Sequence, residues 1–218
     1  MRKCLTISLL LVAAMIVGCQ TQSWRDTDRA PGAGRDADTP WQVHGGLIEL
    51  TGSLSAGFGA VDDQDFGDYN ADIEAVSWRG SLFGGYMIND YFELGAFFEY
   101  TWGTWDIDQT GAGEIDVTGW AIGPKLIYNF SNVGTDVVPY VSVAGGWGSV
   151  DAEYDDEEDD GDQAFAQLGF GIRFFAWDGI AWNLEGYYRY QEWELDELEE
   201  TVRESWEFGL ILSASVWF

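Results

Sequence analysis

The chain has 218 residues, 28 of them Gly, with 38 acidic side chains against 10 Lys and Arg and a formal net charge of -28. A charge of that sign and size repels phosphate backbones and excludes nucleic acid as a partner. Aromatic residues make up 16% of the chain, and no apolar run beyond the N-terminus reaches the ~20 residues of a membrane-spanning helix. Two classes remain, a soluble acidic β domain and a chain that crosses a membrane with strands, and residue patterning separates them.

Residues 1–18 read as a secretory leader: Arg2 and Lys3 precede an apolar run over 5–17 that is too short to span. The stretch Ile16, Val17, Gly18, Cys19 resembles a bacterial lipobox, and Gln20 after it resembles outer-membrane sorting. That resemblance implies cleavage before Cys19 and acylation of its sulfur. Cys4 leaves with the leader, so Cys19 has no disulfide partner. Ordinary cleavage nearby, with an idle thiol, is the alternative. Residues 19–40 are polar and without period, as a flexible periplasmic linker would be.

From residue 41 to 218 the chain alternates with period two, the signature of strands. Eight segments do so, at 47–59, 76–86, 91–102, 117–130, 137–147, 164–174, 180–190 and 206–218. In the first, Ile48, Leu50, Leu54, Ala56 and Phe58 share one face, and Glu49, Thr51, Ser53 and Ser55 share the other. In the last, Trp206, Phe208, Leu210, Leu212, Ala214, Val216 and Phe218 oppose Glu207, Gly209, Ser213 and Ser215, with Ile211 and Trp217 as exceptions. Apolar outside and small-polar inside predicts a closed eight-stranded antiparallel up-and-down transmembrane β-barrel. Connectors near 89–90, 131–136 and 177–179 are short. Those near 60–75, 103–116, 149–163 and 191–204 are long. Short periplasmic turns and long extracellular loops would put the N-terminus in the periplasm.

Aromatics of the apolar face fall into two belts. Phe58, Trp78, Tyr100, Trp102, Trp120, Trp147, Tyr190 and Trp206 lie near the long connectors; Tyr86, Phe92, Tyr128, Phe130, Phe174, Trp182 and Phe218 lie near the short ones. Amphipathic rings prefer the two membrane–water interfaces. Gly85-Tyr86 leading to Asn89-Asp90-Tyr91, Pro139-Tyr140, Gly169-Phe170-Gly171 and the terminal Phe218 resemble the small eight-stranded outer-membrane barrels of the OmpA transmembrane-domain and OmpX type. The resemblance covers 41–218. It implies the bacterial outer membrane and leaves the function open, because that group includes scaffolds, adhesins and lipid-modifying enzymes.

Beyond the linker the bases are Arg79, Lys125, Arg173, Arg189 and Arg203, and all five fall on the inward set. Glu49, Glu93, Glu99, Glu185 and Glu207 fall there too. An eight-stranded barrel is just wide enough for its own side chains, so these ten are expected to form a lumen charge network rather than a pore. Arg79 and Glu99 are expected to face one another, because a hairpin about Asn89-Asp90 brings together residues whose numbers sum to about 178.

Most other acids crowd the long connectors. Asp155, Asp156, Glu158 and Asp160 are candidate ligands for weak Ca²⁺ or Mg²⁺ binding, at roughly 10⁻⁴–10⁻³ M. No EF-hand loop is present, since Gln167 stands where its bidentate Glu belongs. A merely solvated acidic surface is the plain alternative, and no other cofactor is implied. The leading expectation is a non-enzymatic, monomeric surface barrel that serves envelope integrity or surface and cation binding, amid outer-membrane lipid and lipopolysaccharide. A lipid-modifying enzyme is the alternative, with His44 as its only His, at the entry to the first strand. A small channel is the third reading. The extracellular ligand is left open.

Overall fold

An alternating strand that faces lipid outside and its own side chains inside has no free edge only if the sheet closes. The computed structural model shows that closure. It describes residues 45–62, 73–107, 114–130, 137–154, 157–177, 179–195 and 202–218. Cys19, the linker and His44 lie outside the described residues.

The strands are β1 (Ile48–Asp62), β2 (Ile73–Met87), β3 (Phe92–Ile107), β4 (Glu114–Asn129), β5 (Val137–Tyr154), β6 (Glu157–Trp177), β7 (Ile180–Leu195) and β8 (Val202–Trp217). Each pairs antiparallel with its sequence neighbour, and β8 returns to β1 to close the barrel. The C-terminal residue takes part: Ile48 N donates to Phe218 O at 2.8 Å, and Phe218 N to Ile48 O at 3.1 Å.

The strands run past the apolar segments. β5 has 18 residues and β6 has 21, and their ladder continues through Asp151↔Asp160 to Tyr154↔Glu157. Most of the stretch 149–163, read from sequence as a loop, is therefore hairpin. Ladder hydrogen bonds join backbones and do not require apolar side chains, so pairing outlasts the lipid-facing stretch that makes strands visible in the sequence.

Two turns set the register at the short-connector end. Asn89 Oδ1 accepts from Tyr91 N at 2.8 Å and Phe92 N at 2.9 Å, an Asx-type turn between β2 and β3. The hairpin centres on Asp90, so Arg79 stands opposite Thr101, and Glu99 opposite Ser81. Between β6 and β7, Gly179 takes φ 73°, a left-handed conformation that a side chain would strain. One ladder lapses in mid-strand. Between β4 and β5 pairing stops after Ile122↔Trp147 and resumes at Lys125↔Ala144. Pro124 sits in the gap and has no N–H to give to β5.

Candidate functional site: a sealed lumen beneath an acidic collar

The short-turn end is closed by Leu47, Met87, Val138, Phe175, Ala181 and Trp217. Trp217 was one of the two apolar exceptions on the inward face of the last strand, and this plug explains it. Directly above, the Arg173 guanidinium lies 4.8 Å from the Trp217 ring and 5.0 Å from the Tyr140 ring. Arg173 Nη2 stands 3.2 Å from Glu49 Oε2 and 3.1 Å from Glu93 Oε2. Glu49 Oε1 also accepts from Ser215 at 2.5 Å and Thr51 at 2.6 Å.

At mid-height Lys125 Nζ meets Glu185 Oε2 at 3.0 Å. Tyr140 and Ser142 each donate to the same carboxylate at 2.9 Å. Gly171 makes this layer possible, since a Cβ there would meet the Tyr140 ring at 2.5 Å. The exception Ile211 lines a cavity of about 50 Å³ beside this layer. Thr51, Ser53 and Ser213 and the rings of Phe83, Phe97 and Phe165 also line it. At ~15 Å³ per water centre it has room for about three waters.

The long-hairpin end is held by a second group. Arg79 donates through both terminal nitrogens to the two oxygens of Glu207. Tyr187 OH accepts from Arg79 at 2.8 Å and donates to Glu207, and Ser77 donates to Glu207 at 2.9 Å. Arg189 Nη1 meets Glu99 Oε1 at 2.6 Å, and its Cζ lies 3.5 Å from the Phe165 ring centroid.

The expected Arg79–Glu99 pair is thus secondary, with Nε at 3.7 Å from Glu99 Oε1. Glu207 lies on β8, two strands from Arg79, and reaches it because the strand between is glycine at the crossing point. A Cβ on Gly57 of β1 would collide with the Glu207 carboxylate. Gly85 on β2 opens the same kind of window for Glu93. Glu49, Arg79, Glu93, Glu99, Arg173, Glu185 and Arg189 are buried, Glu207 and Lys125 half-buried. Arg203 pairs with Trp193 in the backbone register, but its side chain lies outside the described residues. The network also includes hydroxyls the charge pattern did not flag, from Tyr140, Tyr187, Ser142, Thr51 and Ser215. All sit at inward positions, which was the signal available.

The outer face carries the second feature. Of the belt residues, Phe58, Trp78, Tyr100, Trp102, Trp120, Trp147, Trp206, Tyr86, Phe130, Phe174, Trp182 and Phe218 are exposed, and Tyr190, Phe92 and Tyr128 are half-buried. Beyond the upper belt, on the same face, acids stand directly opposite one another: Asp116↔Glu153, Asp151↔Asp160, Asp162↔Glu194 and Glu192↔Glu204. All are exposed except the half-buried Glu192, which accepts a hydrogen bond from Tyr190 OH at 2.8 Å. No Lys or Arg side chain among the described residues points outward. Asp116, Asp151, Glu192, Glu194 and Glu204 lie two to four residues beyond Trp120, Trp147, Tyr190 or Trp206 on their strands, roughly 5–10 Å further along the barrel axis, and Glu153, Asp160 and Asp162 are their cross-strand partners. They form a collar rather than loops. Of the four suggested cation ligands, Asp160 is in the collar, Asp155 and Asp156 lie outside the described residues, and so does the side chain of Glu158. Among the described residues no group of three or more His, Cys, Asp or Glu is placed to hold a metal ion by itself.

The sequence profile of the outer membrane protein beta-barrel domain matches residues 10–203. The chain belongs to that family. As an outer-membrane barrel it presents its exposed apolar band to lipid, and the two belts mark the interfaces. The barrel is similar in fold to Neisserial surface protein A, with a TM-score of 0.58, 14% identity, and coverage of 78% of this chain and 98% of that one. It is also similar to the outer membrane protein OprG of Pseudomonas aeruginosa, with a TM-score of 0.55, 10% identity, and coverage of 81% and 98%. The outer membrane enzyme PagL overlaps less closely, with a TM-score of 0.41, 13% identity, and coverage of 74% and 97%. No curated protein sequence matches the chain.

Proposed function

We propose that this barrel is a non-enzymatic, monomeric surface protein of the outer membrane, held in a lipopolysaccharide leaflet by divalent cations at its acidic collar. The observation that carries the reading is the set of four opposed carboxylate pairs just beyond the upper aromatic belt, with no Lys or Arg side chain on that face among the described residues. Like charges directly opposite on neighbouring strands destabilise a sheet. Anionic headgroups beside them would add to the repulsion. Ca²⁺ or Mg²⁺ relieves both by bridging carboxylate to phosphate, because hard cations prefer oxygen ligands and the lipid supplies the rest of the shell.

In this reading the long-hairpin end is extracellular and the N-terminus periplasmic, which agrees with the short turns at the other end. An acylated Cys19 would then be a second anchor on the periplasmic side. The sealed lumen weighs against a channel. The described residues contain no His to serve as a base, and His44 lies outside them.

The test compares thermal unfolding and protease resistance of the barrel in vesicles with and without lipopolysaccharide, in Ca²⁺ or Na⁺ at matched ionic strength. Screening alone treats all salts of one ionic strength alike. The expected result is a higher midpoint in Ca²⁺, larger with lipopolysaccharide, and lost on chelation. Equal responses to the two salts would leave a solvated, repulsive surface and no bridging role.

A further inference from the structure

The lower half of the lumen holds one carboxylate more than its bases can pair. In the upper half Glu99 and Glu207 are matched by Arg79 and Arg189. Below them Lys125 takes Glu185, and Arg173 alone meets both Glu49 and Glu93. Those two acids are 1% and 0% exposed. Glu93 Oε1 has no hydrogen-bond partner, and Glu49 Oε2 has only its ion pair to Arg173. Asn183, 3% exposed, adds an Oδ1 that is also unpartnered. Its amide nitrogen donates to Ser215 at 2.6 Å, and Ser215 donates in turn to Glu49, so Asn183 stands one hydroxyl away from the acid pair. Glu49, Asn183 and Arg173 border the cavity described above.

The surroundings offer no spare base. Arg173 comes from β6, Lys125 and Glu185 from β4 and β7, Tyr140 from β5, Thr51 from β1, and Ser215 and Trp217 from β8. β2 contributes Ser81, Phe83, Gly85 and Met87, none of them charged, and the apolar plug closes the side below. A surplus buried charge in such a place demands a counter-charge.

We propose that the Glu49–Glu93 pair binds one monovalent cation, either a proton shared by the two carboxylates or a sodium ion seated in the cavity that Glu49 borders. The pair carries a charge that one guanidinium cannot balance, and three acceptors near it lack a hydrogen-bond donor, two carboxylate oxygens and one amide oxygen, while Arg173 Nε and Nη1 are donors left without an acceptor. The cavity accommodates a small ion with a water or two and excludes a bulky organic cation. This inference does not depend on the collar, which lies on the other face of the wall.

The experiment follows the urea unfolding midpoint of the full chain in phospholipid vesicles. One series replaces Na⁺ by choline at fixed ionic strength. The other raises pH from about 6 to about 10 in choline, a range in which surface carboxylates stay ionised. A bound sodium ion makes the first series slope and leaves the second flat; a shared proton does the reverse. Below saturation the unfolding constant rises up to tenfold per tenfold loss of the cation. Glu93→Gln removes the surplus charge and should flatten the response, and Glu49→Gln should do the same. A wild-type midpoint that is flat in both series overturns the proposal. So does a Gln variant that responds as strongly as wild type. The wild-type series need no variant, so a variant that fails to fold leaves the test standing.

Discussion

Arg79 has two acids within reach and one preferred partner. Glu207 takes both terminal nitrogens and shares Tyr187 with it, whereas Glu99 is held by Arg189 at 2.6 Å. Breaking a buried pair by removing one member leaves the other charge stranded, typically at about 3–5 kcal/mol. Arg79→Ala should therefore cost about that much, and Glu207→Ala should add little once Arg79 is gone. A double-mutant cycle in urea should give an Arg79–Glu207 coupling close to the full cost of Glu207→Ala alone, and a smaller one for Arg79–Glu99. A larger coupling to Glu99 would reverse the assignment. Both the inward direction of Arg79 and its need for an acid were readable from period two alone. The partner was not. It depends on the turn centring on Asp90 and on a missing side chain at Gly57, and an inward glycine looks the same in sequence whether it opens a window or merely fills a narrow place.

Among the elements, β4 is the one with a gap in its wall. Pro124 faces lipid in mid-strand, and the ladder to β5 lapses around it. A restored donor should gain one hydrogen bond, about 0.5–1.5 kcal/mol. Pro124→Val is expected to raise the unfolding free energy by that amount and to slow amide exchange at residues 122–125 and 144–147. Unchanged exchange there would mean that the gap is set by the close approach of Gly123 to Gly145 instead. The same strand shows where sequence reading stops. All eight strands were visible across the lipid-facing band, because lipid outside and packed lumen inside demand opposite chemistries on alternate residues. Above the belt both faces meet water or headgroups, the contrast vanishes, and β5 and β6 ran on unseen through Asp151 and Asp160. The acids there read as loop residues for that reason. Their outward aim, and so the collar, required the register.

For the whole molecule, the lumen decides what can pass. The plug at Trp217, the Arg173 layer, the Lys125–Glu185 layer and the Arg79–Glu207 group stand in series across it. Reconstituted in a planar bilayer, the barrel is expected to show no stepwise ion current above the bare-membrane baseline. Regular single-channel steps that scale with protein and disappear with heat unfolding would contradict a sealed interior.

The plug has a kinetic side as well. It draws Leu47 from before β1, Met87 from the end of β2, and Val138, Phe175, Ala181 and Trp217 from β5 to β8. Trp217 also underlies Arg173, whose carboxylates come from β1 and β3. No hairpin on its own can assemble such a set. It exists only once the first and last strands meet, with groups such as Ser215 and Glu49 brought together across 166 residues of chain. Contacts that distant are slow to find and return nothing until the ring is complete. Partly paired barrels should therefore be scarce at equilibrium, and insertion into the membrane should behave as one cooperative event that waits for the C-terminal strand.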